Sequence, residues 1–180
     1  MKHFLLVATT LLIGIKSFAL MGELEDERPK YHYFLEPLAG YHLGSSELPG
    51  TTTLDQGPMV GLRFKIEREN YFFAPDAELI EVVGLDKSPA TMWSLGLIAG
   101  AKITAINLDV YAGMTYREFN NYKVDGMVSG RVGAAWGIGG SDLQIFVEGM
   151  FGQFTQTTFT QQIDYTYITF EGGIQFPFEL

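Results

Sequence analysis

The stretch WSLGLIAGAKITAINLDVYAGMTYR, residues 93–117, alternates two kinds of side chain and breaks once in the middle. In its first half Trp93, Leu95, Leu97, Ala99, Ala101 and Ile103 oppose Ser94, Gly96, Gly100 and Lys102. In its second half Leu108, Val110, Ala112, Met114 and Tyr116 oppose Asp109, Tyr111, Gly113, Thr115 and Arg117. Period two marks an extended strand whose faces meet different surroundings. Residues 104–107 leave room only for a tight turn, so the halves read as an antiparallel pair. One face is apolar without interruption by charge; the other interleaves glycine with ionised groups.

The same pattern recurs on both sides. Tyr33, Leu35, Pro37, Ala39 and Tyr41 oppose Phe34, Glu36, Leu38, Gly40 and His42; Val60, Leu62, Phe64 and Ile66 oppose Gly61, Arg63, Lys65 and Glu67. The stretch from Tyr71 to Val82 is less clean, with Phe73, Ala77 and Leu79 opposite Asp76 and Glu78. Towards the C-terminus, Val128, Val132, Ala134, Trp136 and Ile138 oppose Ser129, Arg131, Gly133 and Gly137, and Leu143, Ile145, Val147 and Phe151 oppose Gln144, Glu148 and Gly152. The last segment sets Ile168, Phe170, Ile174, Phe176 and Phe178 against Thr169, Glu171, Gly173 and Gln175. That gives eight strands. Connectors near 44–57, 83–91, 118–126 and 155–164 read as long and polar, and those at 68–70, 104–107 and 139–142 as short. Gly137-Ile-Gly-Gly140 falls at one of the short ones and reads as a turn, because no helix follows to complete a phosphate-binding loop. In an up-and-down meander this alternation collects the long connectors on one rim and the tight turns on the other, as in transmembrane barrels of bacterial outer membranes.

Composition decides which face is inside. The chain is 47% hydrophobic and 18% charged, with 12 Lys+Arg, 21 Asp+Glu and 21 Gly. That is little charge for a solvated exterior, but it suits a narrow lumen where glycine saves space. The expected fold is all-β: an eight-stranded antiparallel up-and-down transmembrane barrel with its apolar face on lipid. Aromatic residues fall near both ends of that face. Tyr31, Tyr33, Phe73, Trp136, Phe176 and Phe178 are assigned to the inner girdle, and Tyr41, Trp93, Tyr116 and Phe151 to the outer one.

The opening strand Phe34-Leu-Glu-Pro-Leu-Ala-Gly-Tyr41, the closing strand Ile168-Thr-Phe-Glu-Gly-Gly-Ile-Gln-Phe-Pro-Phe178 and the loop alternation resemble the small eight-stranded outer-membrane proteins of the OmpA/OmpX-like barrel group. The resemblance covers about residues 31–178. It implies a bare barrel and, at Phe178, the aromatic recognition signal for the barrel-assembly machinery, here followed by Glu179 and Leu180.

Residues 1–19 read as a secretory signal peptide: Lys2 and His3, an apolar run from Phe4 to Ile15, and Ser17-Phe-Ala19 with cleavage after Ala19. The twelve-residue run, at about 1.5 Å per residue, is too short to anchor a helix across a hydrocarbon core of about 30 Å. Residues 20–30, containing Glu23-Leu-Glu-Asp-Glu27, read as an acidic disordered leader, and 31–180 as the barrel domain. The formal net charge of −9 excludes nucleic acid as a partner, and the absence of cysteine excludes disulfides, thiolate metal sites and cysteine nucleophiles.

With the charged face inward, Glu36, Asp76, Glu78, Asp109, Glu148 and Glu171 share the lumen with Arg63, Lys65, Lys102, Arg117 and Arg131. Such charges must pair across strands or keep water, because an unpaired charge removed from water costs several kcal/mol. The expected result is a packed polar lumen, with no cofactor or metal. The expected role is non-enzymatic: structural or adhesive at the surface of a Gram-negative-type outer membrane. Partners are then membrane lipid and lipopolysaccharide, the assembly machinery and a surface protein, met by loops such as Thr51 to Gln56 and Thr155 to Gln162. Two alternatives stand beside this. One is a lipid-modifying barrel enzyme centred on His42 at the outer end of the first strand, with Ser45, Ser46 and Glu47 following in a loop. The other is a narrow pore or small-molecule conduit.

Overall fold

A computed structural model describes residues 30–48, 51–83, 89–120, 126–139, 142–157 and 162–180. The signal peptide, its cleavage point after Ala19 and nearly all of the acidic leader lie outside the described residues. Eight long strands follow one another: β1 (Tyr31–Leu48), β2 (Thr51–Arg68), β3 (Tyr71–Val83), β4 (Pro89–Ile103), β5 (Leu108–Phe119), β6 (Met127–Gly137), β7 (Gln144–Thr157) and β8 (Gln162–Gln175). A short β9 (Phe178–Glu179) continues β8 along β1. Each strand pairs antiparallel with the next, and β8 and β9 return to β1, so the sheet is closed.

Register fixes the size of the barrel. Stepping from Tyr41 to Gly172, Val147, Ala134, Val110, Ala101, Tyr71 and Arg68 returns to β1 at Tyr31, a displacement of 41 − 31 = 10 residues for one circuit. With about 3.3 Å per residue and about 4.8 Å between strands, this stagger tilts the strands by about 40° and gives a backbone radius of about 8 Å. Such a cylinder is filled by its own side chains.

The turn rim is tight. Thr104–Ile106 forms one 3-10 turn that ends at Asn107 in the left-handed region (φ 50°). Glycine at 139 (φ 47°) does the same work before β7, without the Cβ penalty. On the other rim the first connector differs from its sequence reading. Residues 44–48 and 51–57 are strand, and the β1–β2 pairing runs from Tyr31↔Arg68 to Leu48↔Thr51. Backbone pairing needs no apolar face, and the β-branched run Thr51–Thr53 favours an extended chain, so the hairpin outgrows the region where hydrophobic alternation reports it.

Candidate functional site

Inward side chains lock the lumen along most of its height. Arg131 on β6 is the hub: it donates from Nη1 to Asp76 Oδ2 (2.8 Å), from Nη2 to Glu78 Oε1 (2.6 Å) and from Nε to Glu148 Oε2 (2.5 Å). Arg63 on β2 donates to Glu148 Oε1 (2.7 Å), Asp76 Oδ2 (3.3 Å) and Gln175 Oε1 (3.2 Å), and packs 5.1 Å from the Tyr111 ring centroid. The Tyr111 hydroxyl donates to Glu148 Oε1 at 2.6 Å. Arg117 donates to Glu171 Oε1 (2.5 Å) and Thr169 Oγ1 (3.2 Å) and lies 3.8 Å from Glu78. Nearer the long-strand rim, His42 holds Glu171 Oε1 at 2.7 Å through Nδ1 and the Tyr167 hydroxyl at 3.0 Å through Nε2; Tyr167 donates to Asp55 Oδ2 at 2.7 Å.

A second cluster sits towards the turn rim. Lys65 Nζ lies 3.0 Å from Asp109 Oδ2, 3.2 Å from Glu36 Oε1 and 3.4 Å from Glu67 Oε2, and is 5.1 Å from the ring centroids of both Phe34 and Phe72. Gln175 joins the clusters, donating to Glu36 Oε2 (3.5 Å) and accepting from Arg63. Lys102 pairs with Glu67 at 3.4 Å beside a cavity of about 450 Å³ that also meets Phe34, Asn107, Gln144 and Phe178.

Of the eleven charged residues assigned to the lumen from sequence, ten are buried: Glu36, Arg63, Lys65, Asp76, Glu78, Asp109, Arg117, Arg131, Glu148 and Glu171. Lys102 keeps a quarter of its side chain exposed. Sequence reasoning left out Asp55, Glu67, Tyr111, Tyr167 and Gln175 as members of the network. Strand parity carried the signal for Glu67, Tyr111 and Gln175; Asp55 was hidden by the loop assignment. The lumen is also less uniformly polar than expected, because Met59, Phe72, Ala74, Ile80, Met92 and Ile98 pack inward. This explains the unclean alternation of β3: both its faces are largely apolar.

His42 does not stand at an open mouth. It is fully buried, directly opposite Glu171 across the β1–β8 junction, and Ser45, Ser46 and Glu47 continue β1 instead of forming a loop. The acidic oxygens of Glu78, Glu148 and Glu171 lie within 4.8 Å of one another, as metal ligands can. Arg131 and Arg117 already supply the positive charge at those carboxylates.

The outer wall is organised by height. At a rise of about 2.5 Å per residue along the barrel axis, the register brings Phe73, Trp136 and Phe176 to one level, with Tyr33 and Phe178 just below. Tyr41, Trp93, Tyr116 and Phe151 reach a second level about 16 Å higher by the same conversion. Between the two levels no outward position of the described strands carries an ionised side chain; Arg68 lies below them, Glu81 and Glu118 above.

A search of solved structures finds the same barrel fold elsewhere. Neisserial surface protein A superposes with a TM-score of 0.52 at 9% identity, covering 80% of this chain and 97% of that one. The attachment invasion locus protein Ail of Yersinia pestis gives 0.50 at 11% identity, covering 82% and 99%. The chain shares their barrel fold. No family profile matches its sequence, and no curated protein is similar to it in sequence. At such identities the likeness concerns the path of the backbone, and the lumen network described above is a property of this chain's own residues.

Proposed function

We propose that this is an outer-membrane barrel that acts as a rigid, ion-locked scaffold for surface contacts, and that it is neither an enzyme nor an open pore. The observation that carries this reading is the lumen: Arg63, Arg117 and Arg131 are engaged by Asp76, Glu78, Glu148 and Glu171 across strands from both sides of the barrel. Transport needs a path through that lattice, and acyl transfer needs a histidine facing substrate; neither matches a side chain held as His42 is. An uncharged wall between two aromatic levels suits a bilayer. Chemistry with the outside then belongs to the long-strand rim, where among the described residues the β1–β2 and β7–β8 hairpins reach furthest. Ail, an attachment protein by its name, has the same fold and supports a role in surface contact. Lipopolysaccharide and a surface protein are the proposed contacts, and the barrel-assembly machinery the proposed route of insertion.

Fractionation of expressing cells, followed by protease treatment of whole cells and an adherence assay, tests the reading. The expected result is protein in the outer membrane, cleavage confined to the long-strand rim, and adherence that falls when the rim is cut. Cleavage at the turns 69–70 or 104–107 in intact cells contradicts the orientation, and adherence equal to that of cells lacking the protein contradicts the role.

A further inference from the structure

The β2–β3 joint differs from the rest of the wall. Its register runs from Arg68↔Tyr71 to Ile66↔Phe73, resumes at Arg63↔Asp76, continues to Met59↔Ile80, and resumes again at Gln56↔Val83. The two skipped steps contain Pro75 and Pro58, which have no N–H to give a partner strand. The β1–β2, β3–β4, β4–β5, β5–β6, β6–β7 and β7–β8 ladders have no skip. The β1 ladder to β8 and β9 skips once, beside Pro37 and Pro177, and there the Phe176 N–H still reaches the Pro37 carbonyl at 3.1 Å.

What lies behind the joint is also distinctive. Met59 pairs with Ile80 and Ile80 with Met92, so the register makes them one inward row across β2, β3 and β4; Val82 sits one inward step higher on β3. All four are buried and apolar; the ionised lumen groups His42, Glu171 and Arg117 at comparable height stand on β1, β8 and β5, Glu78 on β3 lies one inward step below Ile80 and is held by Arg131 and Ser94, and Asp55 on β2 lies two inward steps above Met59 and is held by Tyr167. Parting β2 from β3 at the upper interruption, beside Pro58, therefore exposes an apolar row to lipid, whereas the lower interruption, beside Pro75, is bracketed by the Arg63–Asp76 ion pair across the joint. At the six joints without a skip the same motion breaks an uninterrupted ladder in a medium that offers no replacement bonds, and at the β1 seam the Phe176 N–H still bonds across. Methionine adapts its shape to what it meets.

We propose that the upper part of the β2–β3 joint, beside Pro58, is a lateral opening in the barrel wall, and that it admits the acyl chain of a membrane lipid to the row Met59, Ile80 and Met92. The inference rests on the membrane placement proposed above, but its readouts are made on purified protein in bilayers and do not depend on a surface role. In lipid nanodiscs, hydrogen exchange of the β2 and β3 amides flanking the prolines should be about tenfold or more faster than that of β5–β6 amides at the same height, the effect of one or two missing ladder bonds. Phosphatidylethanolamine bearing a diazirine on one acyl chain should label Met59, Ile80 or Met92 as well as outward residues. P58A combined with P75A restores both donors; it should slow exchange at the joint and lower the inward labelling at least several-fold, with outward labelling unchanged.

Uniform exchange around the barrel overturns the opening. Labelling confined to outward residues such as Val60 and Leu79, with fast exchange at the joint, overturns the acyl-chain assignment. Inward labelling indifferent to the two prolines overturns the joint as its route. Because the double substitution adds hydrogen bonds and removes no packing contact in the lumen, a folded variant is expected; should it fail to fold, the unaltered protein's exchange map and labelled residues decide the matter.

Discussion

Replacing Arg131 by methionine tests whether the lumen lattice holds the barrel together. The substitution keeps much of the volume and removes the donor shared by Asp76, Glu78 and Glu148. Asp76 and Glu148 retain Arg63, at 3.3 and 2.7 Å. Glu78 retains the Ser94 hydroxyl at 2.7 Å and has Arg117 at 3.8 Å, so it is the carboxylate left least compensated. Breaking a buried pair by removing one partner costs about 3–5 kcal/mol, and the help from Arg63 places the expectation near the lower figure, about 3 kcal/mol. Adding Glu78→Gln removes the stranded charge and should recover about half of that loss, so the double variant is more stable than the single one. The assay is reversible urea unfolding in lipid vesicles, followed by the fluorescence of Trp93 and Trp136, the two tryptophans of the chain, both on the outer wall. A loss below about 1 kcal/mol, the size of an exposed surface pair, refutes the view that the lattice is desolvated and structural.

Leu97→Arg and Ile145→Arg place a guanidinium on the lipid side of β4 and β7 and should each cost about 2–4 kcal/mol in the same assay, whereas both are tolerated if the apolar face is not on lipid. Gly96→Val should also destabilise, by about 1–3 kcal/mol, because a side chain there meets the Asp76 carboxylate and the Arg131 guanidinium; a neutral result contradicts the packed lumen. His42→Ala should fold and insert with a loss of about 1–3 kcal/mol, set by the unmade bonds of Glu171 and Tyr167. Mass spectrometry of lipids incubated with the parent should show no acyl release or transfer; lipid turnover that disappears in His42→Ala would revive the enzyme reading.

Strand count, order and facing were legible in the sequence because alternation is a local property: a residue such as Leu97 or Arg131 announces its face through its neighbours two positions away. The extent of strands was not. Gly44 to Leu48 and Thr51 to Gly57 carry no continuous apolar face, yet they pair as strands because the ladder of β1–β2 propagates through backbone atoms. The lumen partners were legible only as a set. That Arg131 meets Glu78 and not Glu36 depends on the stagger of ten residues per circuit, which no local pattern encodes. His42 shows the same gap. Its parity on β1 was plain, but its burial against Glu171 requires closure of β1 on β8, a contact between residues 129 positions apart. Apolar inward residues such as Ile80 and Met92 were missed because alternation cannot separate two faces that are both apolar.

A lipid-facing barrel wall around a lumen sealed to water by its own charges is tested most directly by spin-label accessibility along β5. The chain has no cysteine, so single labels can be placed at Val110, Ala112 and Met114 on the outer face and at Tyr111 and Thr115 on the inner one. In bilayers, labels at the three outer sites should collide freely with oxygen and scarcely with a water-soluble nickel chelate, and labels at the two inner sites should be shielded from both. Inner sites open to the chelate contradict the seal. Outer sites open to the chelate contradict the membrane wall itself.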